Sequence, residues 1–299
     1  MPADAGGLSW NLAADLQGVL AYHFMVNAFL AGAVVAVLAG LVGWFMVLRR
    51  ESFVGHTLAV TGFPGAAGAT LVGISAVYGF FAFCVAGALI ITALPRRRGL
   101  HSFSEESAVV GTVQASALAC GVLFVSLYRG FLNSVNAFLF GSFLGITDSQ
   151  VLVLLVVAAL AAVTLAVIGR PLLFLSVDAD VAAASGVPAR PLTAAFLILL
   201  GLAAAAVSQI TGTLLVFALL VVPPATAQLL TARPFFSLML AVLLGLAITW
   251  LGLAIAYYSP YPVGFFITTL AFASYLAART WRAGLAPHFG RPAAARGAA

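Results

Sequence analysis

The charged residues of this chain are spaced so that they leave long stretches with none at all. Residues 16–48, 52–95, 107–128, 130–147, 149–169, 191–232 and 234–278 contain no Asp, Glu, Lys or Arg. A helix crosses the hydrocarbon core of a bilayer in about 20 residues. Stretches 16–48, 107–128 and 149–169 therefore each predict one crossing, while 52–95, 191–232 and 234–278 are each long enough for two. Their turns are expected at Gly73–Gly79, near Ser208–Gly212 and at Tyr257–Gly264, where YYSPYPVG sets two prolines among interfacial tyrosines. Segment 130–147 is short, contains Asn and is interrupted by Gly, which predicts a partial or re-entrant helix. The expected fold is all-α, a polytopic membrane protein of about nine transmembrane helices within a range of eight to ten. With 7% charged and 64% hydrophobic residues, the chain cannot coat a water-facing globule, which excludes a soluble enzyme and a disordered chain.

All 13 basic residues are Arg. With nine crossings, Arg49, Arg50, Arg96, Arg97, Arg98, Arg170, Arg190, Arg233, Arg279 and Arg282 fall on one side, and Arg129 falls on the other. The positive-inside rule makes the first side cytoplasmic. The N-terminus is then outside and the C-terminus inside. The expected organisation is an extracytoplasmic segment 1–20, a single transmembrane domain 21–282 with a cytoplasmic loop 171–190, and a disordered cytoplasmic tail 283–299. The first residues lack a basic region and a cleavage pattern, so a cleaved signal peptide is not expected.

The absence of Lys excludes a Walker A phosphate loop and Schiff-base chemistry on this chain. Cys84 and Cys120 sit singly in apolar runs, without metal-type spacing. No carboxylate lies deep in a predicted span. A proton-driven carrier needs such a group, so energy is expected to enter from outside the membrane part, which fits a passive channel or a pump with a separate motor. Glu105 and Glu106 stand at the start of the fourth span. Their readings are an N-terminal helix charge preference or a contact with a cytoplasmic partner. Asp148 reads as a helix cap. Pro64, between Gly62 and Gly65, predicts a break in the second span, and Pro223 with Pro224 predicts another. His56 opens the second span and reads either as an interfacial histidine or as a ligand for a borderline divalent metal. His23 and His101 read as interfacial, and His288 lies in the tail.

Four stretches carry a resemblance: VLRRESFVGHTLAVTGFPGAA at 47–67, FSEESAVVGT at 103–112, FLFGSFLGIT at 138–147 and SQITGTLLVFALLVVPPATAQLLT at 208–231. Over roughly residues 24–278 the chain resembles the permease subunits of bacterial zinc and manganese ABC importers. The resemblance implies a helical permease in the bacterial cytoplasmic membrane, working as a homodimer or a pair of similar permeases. It also implies a cytoplasmic ATPase dimer that binds ATP and an extracytoplasmic binding protein that delivers the metal. This chain would then be a transport subunit, not an enzyme, with no cofactor of its own and zinc or manganese as cargo. The loop VDADVAAASGVP at 177–188 resembles the family's segment that docks on the ATPase, which assigns coupling to Asp178, Asp180 and Gly186. Pathway positions are Pro64, Gly65, Gly212 and Pro223. One departure stands out. Alignment on Gly55 and on Pro64-Gly65 puts His56 at the family's Asp position and Val60 at its His position. Imidazole suits zinc better than it suits manganese, and valine binds no metal. The alternatives are an ABC importer permease for a chelated metal or another small solute, and a secondary carrier or channel of another class.

Overall fold

The computed structural model describes residues 21–94, 102–128 and 145–285. Segment 1–20, Arg96–Arg98, His101, Arg129, most of the predicted partial helix 130–147, and residues 286–299 with His288 lie outside the described residues. Among the described residues the fold is all-helical. Its elements are α1 (His23–Leu48), α2 (Ser52–Val72), α3 (Ala76–Ala93), α4 (Ser102–Leu127), α5 (Asp148–Val177), a short α6 (Ala179–Ala184), α7 (Ala189–Thr211), α8 (Thr213–Leu230), α9 (Pro234–Tyr257) and α10 (Val263–Leu285). Seven are long and apolar enough to cross a membrane: α1, α3, α4, α5, α7, α9 and α10. Helix α2 is as long as these, but Ser52, His56, Thr57, Thr61 and four glycines lower its apolarity. Most of these helices are apolar all round, which is the composition of a helix that leaves water entirely.

Helices α1 and α7 form the centre. Their most apolar windows are 67% buried, against 11% for α4 and 17% for α5 and α10, which therefore line the rim. Helices α2, α3 and α4 pack together on one side, α8, α9 and α10 on the other, and α5 lies across α1 and α7. On α5, Leu152, Val156, Val163 and Val167 are exposed along one face, an apolar surface suited to lipid.

Two close approaches set the packing. A Cβ on Gly65 would collide with the backbone oxygen of Gly79, and one on Gly79 with that of Gly65, so α2 and α3 touch main chain to main chain. A Cβ on Gly43 of α1 would collide with the backbone oxygen of Leu220 on α8. Lipid gives helices no hydrophobic reason to associate, so small residues that admit such contact hold the bundle together.

The helix ends sort themselves by contact. Trp44 Nε1 donates to Ser237 Oγ at 2.9 Å, joining the end of α1 to the start of α9. Arg282 donates to the Leu229 carbonyl at 3.2 Å, joining the ends of α10 and α8. Arg49 and Arg50 line one cavity with Ser176, Ala179 and Ala189. The described arginine-bearing ends thus share one end of the bundle. At the other end Tyr22 meets Tyr257, with ring centroids 6.3 Å apart.

The turns lie at Gly73, with φ of 81°, at Gly212, with φ of 75°, and between Tyr257 and Val263. The predicted breaks at Pro64 and at Pro223 with Pro224 are corrected: α2 runs unbroken through Pro64, and α8 through both prolines. An interior proline removes one N–H donor, whereas a full break in apolar surroundings would orphan several backbone groups. Helix α5 likewise continues past Arg170 and Pro171 to Val177, because PLLFLSV is apolar. The polar connection is therefore shorter than 171–190.

Gly65→Val should prevent α2 from seating on α3 and lower the melting temperature of the detergent-purified protein, overpacking costing about 1–3 kcal/mol. Gly111→Ala, where an added Cβ meets nothing within 4 Å, should leave it unchanged or slightly raised. Equal melting of Gly65→Val and wild type would refute the close-approach account.

Candidate functional site

Helix α2 carries the polar chemistry of the bundle interior. Its first turn follows a tight corner, in which Arg49 ends α1, Arg50 adopts φ of 60° and Glu51 precedes Ser52. His56 comes next, half-buried, its ring edge-on to Phe217 of α8 with centroids 5.5 Å apart. Its Nδ1 is buried and makes no hydrogen bond among the described residues. Val60, one turn further on, is half-buried and shares that face, as residues i and i+4 do. His56 therefore lies between α2 and α8 with one ring nitrogen uncommitted. Among the described residues, no three His, Cys, Asp or Glu side chains gather as a metal site.

The neighbouring face of α2 is bound to its surroundings. Thr57 is fully buried and donates to Gln114 Oε1 of α4 at 3.1 Å. Thr61 Oγ1 and Cys84 Sγ both donate to the Leu58 carbonyl, at 2.8 and 3.1 Å. The bonds to Gln114 and from Cys84 fix the rotation of α2, and with it the direction of the His56 face. Pro64 and Gly65 lie further along α2, where Pro64 and Phe63 border Gly121 of α4. Pro223 lies within α8, and Gly212 separates α7 from α8.

The arginine-bearing end holds the second group of residues. Asp178 caps α6, its carboxylate accepting from the N–H groups of Asp180 and Val181 at 3.1 and 3.0 Å. At the other end of α6, Gly186 takes φ of 80°. Gly186 N–H then donates to the Ala183 carbonyl and Val187 N–H to the Ala182 carbonyl, a Schellman closure that favours glycine at that position. Ala182 packs against Leu175 and Leu192, while Asp178, Asp180, Val177 and Val181 are exposed. Helix α6 is thus a rigid knob seated on α5 and α7 with a mixed apolar and acidic outer face. Glu105 and Glu106 fall in the first turn of α4; their side chains lie outside the described residues.

Sequence reasoning missed a buried ion pair. Arg49 donates to Glu51 Oε1 at 3.1 Å, with both side chains 9% exposed. Arg49 also donates to Thr193 Oγ1 at 3.2 Å and stacks over the Phe196 ring at 5.3 Å. A signal existed: Glu51 is an acid standing alone between Arg50 and Glu105. The reading of Asp148 as a cap is corrected. Thr147 occupies the cap of α5, in a capping box with Gln150. Asp148 instead accepts from Asn27 Nδ2 at 2.7 Å and meets His23 Nε2 at 3.2 Å, pinning α5 to α1.

Comparison with known proteins adds the following. The profile of the ABC 3 transport family matches residues 21–282. The manganese import system permease protein ScaB of Streptococcus gordonii is 30% identical over 244 residues, covering 81% of this chain and 85% of that protein. The chelated iron transport system membrane protein YfeC of Yersinia pestis is 31% identical over 249 residues, 83% of each. Among solved structures, PsaBC from Streptococcus pneumoniae in complex with Fab superposes with a TM-score of 0.78 at 27% identity, covering 89% of this chain and 94% of that one.

Thr57→Val should leave the half-buried Gln114 carbonyl oxygen without its partner and destabilise the protein by about 1 kcal/mol. Thr57→Val with Gln114→Leu should recover most of that loss. Thermal melts of the two variants check this, and equal melting of Thr57→Val and wild type would remove the bond from the account.

Proposed function

The chain belongs to the ABC 3 transport family, and from that premise we propose that it forms the zinc or manganese pathway of an ATP-driven importer. It is a multi-pass protein of the cytoplasmic membrane and a permease of the metal ABC importer type. In the reading proposed here, two copies pair to enclose the pathway, a separate ATPase dimer binds and hydrolyses ATP, and an extracytoplasmic binding protein delivers the metal. About nine crossings set the arginine-bearing end in the cytoplasm, where the positive-inside rule favours it. The observation that carries the pathway is His56, whose buried Nδ1 has no partner and whose ring lies between α2 and α8. A neutral imidazole facing that interval is a ligand for a passing borderline cation. A carrier site must release its cargo, and one imidazole completed by water or cargo-borne ligands is weak enough to do so.

Coupling follows from α6. Its exposed Val177, Val181, Asp178 and Asp180 present an apolar and acidic knob at the arginine-bearing end. Such a knob fits a groove on a cytoplasmic ATPase. Glu105 and Glu106 are a further candidate contact on that side. A second reading is favoured by Val60, which contributes no ligand where the family carries a histidine. A cargo that arrives with its own ligands, such as a chelated metal, needs fewer from the protein, and one relative is named for chelated iron transport.

Vesicles carrying this chain, its ATPase and its binding protein should take up zinc or manganese only with ATP. Uptake without ATP, or none of any divalent metal, would overturn the importer reading. Competition at the binding protein between free zinc and metal chelates separates the two cargoes. His56→Ala should cut uptake at least tenfold, about 1.4 kcal/mol, with dimer assembly intact; wild-type uptake would return His56 to an interfacial role. Gly186→Val places a branched side chain at φ of 80°, a strain of about 1–3 kcal/mol. Together with Asp178→Ala it should leave the ATPase turning over while uptake falls, and unchanged uptake per ATP would move the docking contact elsewhere.

A further inference from the structure

Between the α1–α2 corner and the α5–α6–α7 segment lies a cavity of about 450 Å³ lined by Leu48, Arg49, Arg50, Ser176, Ala179 and Thr193, among others. Arg49 crosses from one side to the other. Its guanidinium holds Glu51 at the start of α2 and Thr193 and Phe196 on α7. Its Nε is buried and makes no hydrogen bond among the described residues. A buried ion pair seldom stabilises a fold more than apolar residues of the same volume would, and its best-attested use is to fix a register or a switch. An incompletely bonded guanidinium, next to open space and beside a residue at φ of 60°, marks a joint with a second arrangement within reach.

We propose that Arg49 is a positioning residue that transmits displacement of α6 and the start of α7 to α2, and so to the His56 face. This rests on the coupling and pathway roles given above. The route is short. Helix α6 is followed by α7, whose Thr193 and Phe196 grip Arg49. Arg49 grips Glu51, and Glu51 opens α2, where its carbonyl accepts from Gly55 N–H at 3.0 Å. The cavity beside Ala179 gives the α6 end room to move without breaking the packing of α1. Thr193 acts through Arg49 and Arg49 through α2, so neither needs to touch the cargo.

The test uses the complete transporter in proteoliposomes, with zinc and manganese as probes and metal delivered per ATP hydrolysed as the readout. Arg49→Met with Glu51→Leu removes both charges in apolar form and should leave assembly and basal ATP hydrolysis near wild type. Metal delivered per ATP should fall about five- to tenfold, within the usual range of coupling between sites. Thr193→Val should lower the ratio in the same direction, and Thr193→Ser, which keeps the hydroxyl, should restore it. A wild-type ratio in Thr193→Val, or a double variant that assembles and couples normally, would overturn the proposal. So would a double variant that fails to assemble, because the pair would then be a structural support. A wild-type chain that binds no ATPase and moves no metal refutes the importer reading instead, and shows before any variant is made.

Discussion

The bilayer interior offers no water to bond a free N–H or C=O, and the rest of this molecule follows from that. Each spanning segment must close its own backbone bonds, so all described elements are helices. Several interior hydroxyls obey the same constraint. Thr70, Thr92, Ser176, Ser208 and Thr226 each donate to a carbonyl four residues back in their own helix. They are satisfied locally and do not join helices. The attraction that remains is contact, and it is supplied where glycines admit main chain to main chain, as at Gly65 with Gly79 and Gly43 with Leu220.

Against that background the polar bonds that do pass between helices carry information. Thr57 with Gln114 sets α2 against α4, and Asn27 with Asp148 and the Ile146 carbonyl sets α1 against α5. At the arginine-bearing end, Trp44 donates to Ser237, and its carbonyl accepts from Gln228 at 2.8 Å, so α1, α8 and α9 are tied at one level. Helix α1 is therefore fixed at both ends and buried between them. Helix α2 follows it through the corner at residues 49–51, where Glu51 N–H bonds the Met46 carbonyl at 2.9 Å.

Helix positions were legible because the signal is simple: charge is excluded from lipid, and the gaps between charges have the length of a crossing. The turns at Gly73 and Gly212 were legible because glycine reaches positive φ without penalty. The prolines misled. Sequence shows the missing donor at Pro64 and Pro223, but not the cost of the alternative, which depends on whether the freed backbone would meet water. The Arg49–Glu51 pair was hidden for a related reason. Two charges at a predicted span end are ordinary, and only the fold sets Thr193 and Phe196 around them, 144 residues away in sequence in the case of Thr193. Asp148 was placed correctly at a helix start, yet its partner Asn27 is 121 residues distant, and no local rule points to it.

A helix is a stiff lever, which explains why these two groups belong together. Five residues separate Glu51 from His56, about 7.5 Å along the axis at the usual rise. Over that length a helix bends little, so a shift of the corner arrives at His56 almost undiminished. Thr57 bonds Gln114 of α4, and the Leu58 carbonyl accepts from Cys84 of α3, so both bonds resist rotation of α2 about its axis. In the proposed relay the first turns of α2 would slide or tilt, driven from the corner. Either would alter the spacing between His56 and Phe217, an aromatic contact that joins α2 and α8. Under the proposed pathway role of His56, a site with a single imidazole would be sensitive to such a change.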